Sequence, residues 1–136
     1  MRRGWPALLL MAGCVAPPDD DPVTFAEEPV SIRSEDGRAV ARVTLEGDVI
    51  VRGENDFRVE LVPTSAGASA ELVGASAFMP AHGHGSGVDP KLESGGGEGV
   101  FWVRDLVLFM PGRWDVRFDI EVGGAADDVV FPVDVP

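Results

Sequence analysis

Apolar and polar residues alternate along much of the chain, and the clearest stretch runs from Trp114 to Val122. Every second residue there is apolar, and the residues between them are charged. A period of two is typical of a β-strand with one buried and one solvated face. The same alternation marks 39–45, 57–61 and 129–135. Pro132 lies in the last segment and cannot donate a ladder hydrogen bond, so it predicts an edge strand or a bulge there.

Two further segments, 71–79 and 100–110, are more apolar throughout and are predicted to be inner strands. In the second, the alternation loses phase at Arg104-Asp105, which indicates an irregularity. Turn signals rich in Gly, Asp and Pro separate the segments, including one at 53–55, and no window has a sustained helical period. About seven short antiparallel strands predict an all-β fold, an immunoglobulin-like β-sandwich.

Two turns are specified by their residues. Met110-Pro111-Gly112-Arg113 suits a type II turn, because Pro fixes the second position and Gly supplies a positive φ at the third. It is predicted to join 106–110 to 113–122 as a hairpin. Asp127-Asp128 is predicted to be a solvated hairpin tip.

The amino terminus predicts export. A basic head at 1–3 precedes a short apolar run at 7–12, which is the pattern of a signal peptide and is too short to span a bilayer. Met11-Ala12-Gly13-Cys14 resembles a bacterial lipobox, so residues 1–13 are predicted to be a lipoprotein signal peptide and Cys14 the lipidated first residue, carrying acyl groups such as palmitate. Cys14 is the only cysteine, so no internal disulfide can form, and acylation explains an unpaired cysteine in an exported protein.

Residues 14–29 are rich in Pro and acidic residues and are predicted to be a disordered tether, which leaves 30–136 as one β-sandwich domain. Removal of residues 1–13 reduces the basic residues from 11 to 9 against 23 acidic ones, a formal charge of −14. This charge argues against nucleic acid as a partner and against electrostatic binding to anionic lipid. Membrane association is therefore expected through the lipid on Cys14. Val15 follows the cysteine at the position where, by resemblance to Gram-negative sorting, Asp would favour inner-membrane retention, so the outer membrane, facing the periplasm, is expected.

Thioether and imidazole groups gather in one pattern. Apart from the signal peptide, the methionines and histidines of the chain are Met79, His82, His84 and Met110, and the tripeptide Phe-Met-Pro occurs at 78–80 and again at 109–111. Imidazole is a common metal ligand, and thioether shifts the preference toward monovalent copper. The pattern predicts a copper site at these four residues if the two strand ends meet at one end of the sandwich.

Several motifs together resemble a YtkA-like domain, a family that is also similar to the FixH group. The resemblance covers roughly 40–135 and is carried by Gly53–Val59, Met79-Pro80 with His82-Gly83-His84-Gly85, Gly99–Val103 with Asp105-Leu106, and Phe109–Val116. It implies a small exported, membrane-anchored β-sandwich, with relatives linked to copper handling and to assembly of respiratory oxidases. Ala81 stands where members often carry a second Met, which would leave this copy with one ligand fewer.

A second interpretation stays open beside the copper site. Met fills irregular gaps in cores, and the His-Gly-His-Gly run can be a structural loop. The chain would then be an interaction or assembly module of the cell envelope that binds an extracytoplasmic protein. No Ser or Thr lies beside a recognisable His base, so the sequence does not predict an enzyme.

Overall fold

The alternating segments form two antiparallel sheets. In the computed structural model, which describes residues 21–26, 28–47 and 49–136, no helix is found. The predicted signal peptide, Cys14 and residues 15–20 lie outside the described residues. In chain order, the strands of the described part are β1 (Val30–Arg33), β2 (Ala39–Leu45), β3 (Gly53–Pro63), β4 (Ala70–Met79), β5 (His84–Gly85), β6 (Lys91–Ser94), β7 (Val100–Leu108), β8 (Gly112–Val122) and β9 (Ala125–Val135).

The first sheet has the order β1-β2-β3-β7-β6, and the second has the order β5-β4-β8-β9. The prediction of an all-β antiparallel sandwich is confirmed, and its immunoglobulin-like variant stays a prediction. The three strands without a sequence signal, β1, β5 and β6, are each four residues or fewer and lie at sheet edges. The Gly53–Asn55 turn prediction is wrong, because these residues begin β3.

The core lies between the sheets and is built from the apolar members of each alternation. Phe57 from the first sheet makes edge-on contacts with Phe118 and Phe131 of the second, with both ring centroids 6.0 Å away. All three rings and that of Trp114 are at most 1 % exposed. Burial of one such side chain stabilises the fold by about 1.5–3 kcal/mol, so this cluster fixes how the two sheets face each other.

The packed part of the chain begins before residue 30. Phe25 is 8 % exposed and lies 5.7 Å from Phe57 and 6.0 Å from Phe131, measured between ring centroids. Val23 donates its N–H to the carbonyl of Pro132 at 2.8 Å. The prediction that the tether reaches residue 29 is therefore corrected: residues 23–25 lie against the sandwich. Pro132 is on an edge strand, as predicted, and the Val23 N–H donates its hydrogen bond to the outer edge of that strand.

The connection after β7 corrects the predicted hairpin. β7 pairs with β3 and β6, whereas β8 pairs with β4 and β9, so residues 109–111 cross from one sheet to the other. Gly112 has the expected positive φ, 120°. Turn residues specify a local change of direction but not the strand that will pair next. The positive φ of Gly112 was therefore predicted correctly, whereas the pairing was wrong.

No helix among the described residues is long and apolar enough to cross a membrane.

Candidate functional site

The four candidate ligands belong to one end of the sandwich, which we call the rim. Here β4 ends at Met79, β7 ends at Leu108 and β8 begins at Gly112. Residues 49–52 before β3 and the end of β9 lie at the same end, because Gly53 pairs with Leu108 and Gly112 with Val135. The two Phe-Met-Pro tripeptides thus occur at two strand ends of the same rim, as the copper prediction required.

Met79 is the last residue of β4 and is only 2 % exposed. It is the direct partner of His84 across the β4–β5 pair. Directly opposite residues in antiparallel strands project from the same face, so the thioether and the imidazole share the inner side of this sheet. Gly112 also contacts this part of the rim, because a Cβ at that position would lie 2.8 Å from Met79 Cε. A glycine is therefore needed at position 112 both for the positive φ and to leave room for the Met79 side chain.

A tight turn brings the two histidines together. The Met79 carbonyl accepts hydrogen bonds from the N–H of His82 at 3.1 Å and of Gly83 at 2.9 Å. Gly83 has a φ of 66°, a conformation that residues with a side chain rarely adopt. As a result, the ring centroids of His82 and His84 are 5.7 Å apart. The positive φ of Gly83 thus allows the two imidazole rings to lie close together.

His84 also belongs to an aromatic cluster. Its ring is stacked on Phe109, with centroids 5.5 Å apart and planes inclined by 18°. The edge of Trp114 lies 6.0 Å away, and Trp114 in turn contacts Phe109 at 5.5 Å. The sequence did not predict this cluster. The repeated tripeptide was its only signal, since it placed Phe109 beside Met110 at the rim.

Met110 is fixed at the rim from both sheets. Its carbonyl accepts a hydrogen bond from Trp114 Nε1 at 2.9 Å, and its side chain packs against the core while remaining partly exposed. The preceding carbonyl, that of Phe109, accepts a hydrogen bond from Arg52 Nε at 2.8 Å. The connection between the sheets is thus held by β8 on one side and by the loop before β3 on the other.

The structure brings Met79, His82 and His84 into one neighbourhood and places Met110 at the same rim through Trp114. Among the described residues, no group of three or more imidazole, thiol or carboxylate side chains could hold a metal ion. A metal at the rim would therefore depend on thioether sulfur beside imidazole nitrogen, a donor set that suits reduced copper.

Comparison with protein-family models, with curated proteins and with solved structures found no match to this chain. The likeness to YtkA-like domains is thus carried by the sequence motifs alone.

Proposed function

We propose that this chain is an exported lipoprotein, anchored through Cys14, whose β-sandwich binds reduced copper at the rim. The ligands are Met79, Met110 and one or both of His82 and His84. The observation that carries the proposal is the pairing of Met79 with His84, with the second imidazole 5.7 Å from the first. A thioether and two imidazole groups therefore lie near one another at the rim, to which both sheets contribute strands.

The surroundings suit a cation with soft ligands. Phe109 and Trp114 form an apolar wall beside His84, and such a wall limits access of solvent to a bound metal. Copper held here would be buffered in, or delivered to, a protein partner outside the cytoplasm. The resemblance to YtkA-like and FixH-like proteins supports this role, because relatives are linked to copper handling and oxidase assembly.

A copper(I) titration against a competing chelator tests the site. We expect the wild type to bind one copper ion and the Met79→Leu/Met110→Leu variant to bind at least about tenfold more weakly, because Leu keeps volume and apolarity but removes the sulfur donor. Circular dichroism and urea unfolding of the same samples establish that the variant is folded. Unchanged affinity would remove the methionines from the site, and absence of binding by the wild type would refute the copper proposal.

His84→Phe is the matched variant for the imidazole. Phenylalanine can retain the stack on Phe109 and the contact with Trp114 but cannot ligate a metal. A folded variant with weakened copper binding would make His84 a ligand, whereas a folded variant with wild-type binding would leave His82 as the imidazole donor.

The anchor is tested separately from the metal. Cys14→Ser should move the protein from the membrane fraction to the soluble fraction of the cell envelope, because the lipid on Cys14 is the proposed membrane attachment. We expect the wild type in the outer-membrane fraction, facing the periplasm. A serine variant that sediments with membranes as the wild type does would contradict the anchor.

A second candidate function, an interaction or assembly module that is not an enzyme, is favoured by a different observation. The ring of His84 is already stacked, and Met79 is only 2 % exposed, so packing alone can account for both. Phe78 and Phe109 are 47 % and 39 % exposed at the same rim and would suit a protein partner. In that case Phe78→Ser would weaken partner binding while the methionine variant would not.

A further inference from the structure

An apolar groove lies at the rim, on the side where the chain enters the sandwich. Its volume is about 580 Å³, and it is lined by residues 22–25, by Val49 and Ile50, and by residues 134–136. The metal proposal uses none of these residues. The groove combines the first packed residues of the chain with the end of the last strand, so its position is fixed by the contact of Val23 with Pro132.

Two exposed valines lie close together in the segment 49–52: Val49 is one of the lining residues of the groove, whereas Val51 lies outside its lining, beside Glu54 and Asp56. Val49 is 65 % exposed and Val51 is 49 % exposed, whereas Ile50 between them is 7 % exposed and joins the core. Asn55 closes the loop: its Oδ1 accepts the Val51 N–H at 2.9 Å, and its Nδ2 donates to the Val51 carbonyl at 2.8 Å. Arg52 ties the same loop to Phe109. The valines are therefore presented to solvent by ordered backbone.

The length of chain before the groove limits what can cover it. Cys14 lies eight positions before Pro22, the first lining residue. A fully extended chain spans at most about 3.5 Å per residue, so the groove is held within about 28 Å of a lipid on Cys14. The membrane is then an apolar partner that is always within reach of the groove. Because the tether raises the effective concentration of the membrane surface, even a weak contact would be formed for a substantial fraction of the time.

We infer that this groove side of the rim docks on the bilayer that holds the anchor, with Val49 and Val51 entering the boundary between headgroups and acyl chains. The inference rests on the proposed Cys14 anchor. Asp134 lines the groove, and the mature chain carries a formal charge of −14, so the contact favours a zwitterionic surface and is weakened by anionic lipid. Docking would also bring Phe109 and Met110 close to the membrane surface, because they share the rim.

Hydrogen exchange on vesicle-bound protein tests the contact. The only thiol of the full chain is Cys14, so it can be coupled to maleimide headgroups in phosphatidylcholine vesicles. We expect amides in 23–25 and 49–52 to exchange at least about tenfold more slowly on vesicles than in protein capped with a soluble maleimide. Anionic phosphatidylserine in the vesicles should reduce this protection.

A matched pair of variants makes the test specific. Val49→Ser/Val51→Ser removes the exposed apolar surface beside the groove and should abolish the protection. Val62→Ser/Val73→Ser changes two valines that are 44 % and 50 % exposed elsewhere on the molecule and should leave it intact. Equal exchange on vesicles and in solution, or equal protection in the two variants, would overturn the inference.

Protection that appears equally in the soluble capped protein at the same concentration would indicate contact between copies and would also overturn it. The coupling is chemical, so the outcome does not depend on whether cells acylate Cys14. Failure of the groove contact and failure of the anchor, tested with Cys14→Ser, are therefore distinguishable.

Discussion

Asp127 has surroundings that differ from what its neighbours in the sequence indicate. It was predicted to lie at a solvated hairpin tip, but it is 4 % exposed and lies within β9, opposite Ile120. Its Oδ1 accepts the N–H groups of Asp36 at 2.9 Å and Asp128 at 2.8 Å, and its Oδ2 accepts that of Arg38 at 3.1 Å. The carboxylate thus holds the β1–β2 loop against the second sheet.

These contacts set the charge state of Asp127. Burial by itself would raise the pKa of this carboxyl, but hydrogen bonds from the Ser34 hydroxyl and from the three backbone N–H groups outweigh it and hold the pKa below its usual value. Because the folded-state pKa is the lower one, the stabilisation is fully present above the unfolded-state pKa, about 3.9, and is lost as pH falls through the folded-state value.

Asp127→Asn should lower the free energy of unfolding at pH 7 by about 1–3 kcal/mol, because the amide cannot accept all the hydrogen bonds of the carboxylate. The difference from wild type should shrink below about pH 4. Urea unfolding at pH 7 and at pH 3 measures both. Asp128→Asn is the control: Asp128 pairs with Arg117 at 2.9 Å on a half-exposed surface, where such a pair contributes about 0–1 kcal/mol. Equal effects of the two variants would contradict the assigned role of Asp127.

At the scale of elements, the loss of phase in β7 corresponds to a bulge. Asn55 pairs with Leu106 and Phe57 with Val103, so Arg104 and Asp105 together face Asp56. Asp105 has a φ of 59°, and its N–H donates to Asp56 Oδ1 at 2.8 Å. The extra residue restores the apolar residues Val103 and Leu106 to the inner face, which explains why the alternation slips there.

Asp105→Gly and Asp105→Val separate the backbone of the bulge from its side chain. Both remove the ion pair with Lys91 at 3.4 Å, but only valine opposes the positive φ. We expect the glycine variant to stay within about 1 kcal/mol of the wild type, since an exposed pair contributes little. The valine variant should be less stable than the glycine variant by about 1–3 kcal/mol. Thermal unfolding compares them, and equal stabilities would show that the positive φ is not required.

The alternating strands could be predicted because each of them buries one face and exposes the other, which gives a period of two in the apolar residues of the sequence. The short edge strands β1, β5 and β6 could not, since two to four residues carry no period and their pairing is set by distant partners. The position of Met79 at the end of β4 could also be predicted, because Pro80 follows it and cannot donate a ladder hydrogen bond. The stacking of His84 on Phe109 could not be predicted, because it depends on contact between residues that are distant along the chain.

At the scale of the whole molecule, Phe25 ties the start of the packed chain to both sheets. Phe25→Ala should lower the free energy of unfolding by about 3 kcal/mol, because it removes a buried ring from a cluster of aromatic side chains. Phe78→Ala is the matched control, with a ring that is 47 % exposed, and should cost less than about 1 kcal/mol. Urea midpoints of the two variants give the comparison. A similar loss in both would show that residues 21–26 do not contribute to the core.

The same contact has a consequence for the order of folding. Phe25 and Phe131 are 106 positions apart, so residues near the two ends of the described chain meet in one cluster. Such nonlocal contacts raise contact order and slow folding, and a chain that is synthesised from its amino terminus cannot close this cluster until β9 has been made. Pulse-labelled hydrogen exchange during refolding should find the Val23 amide protected no earlier than the amides that pair β8 with β9. Earlier protection of Val23 would show that the amino-terminal segment docks before the final strand.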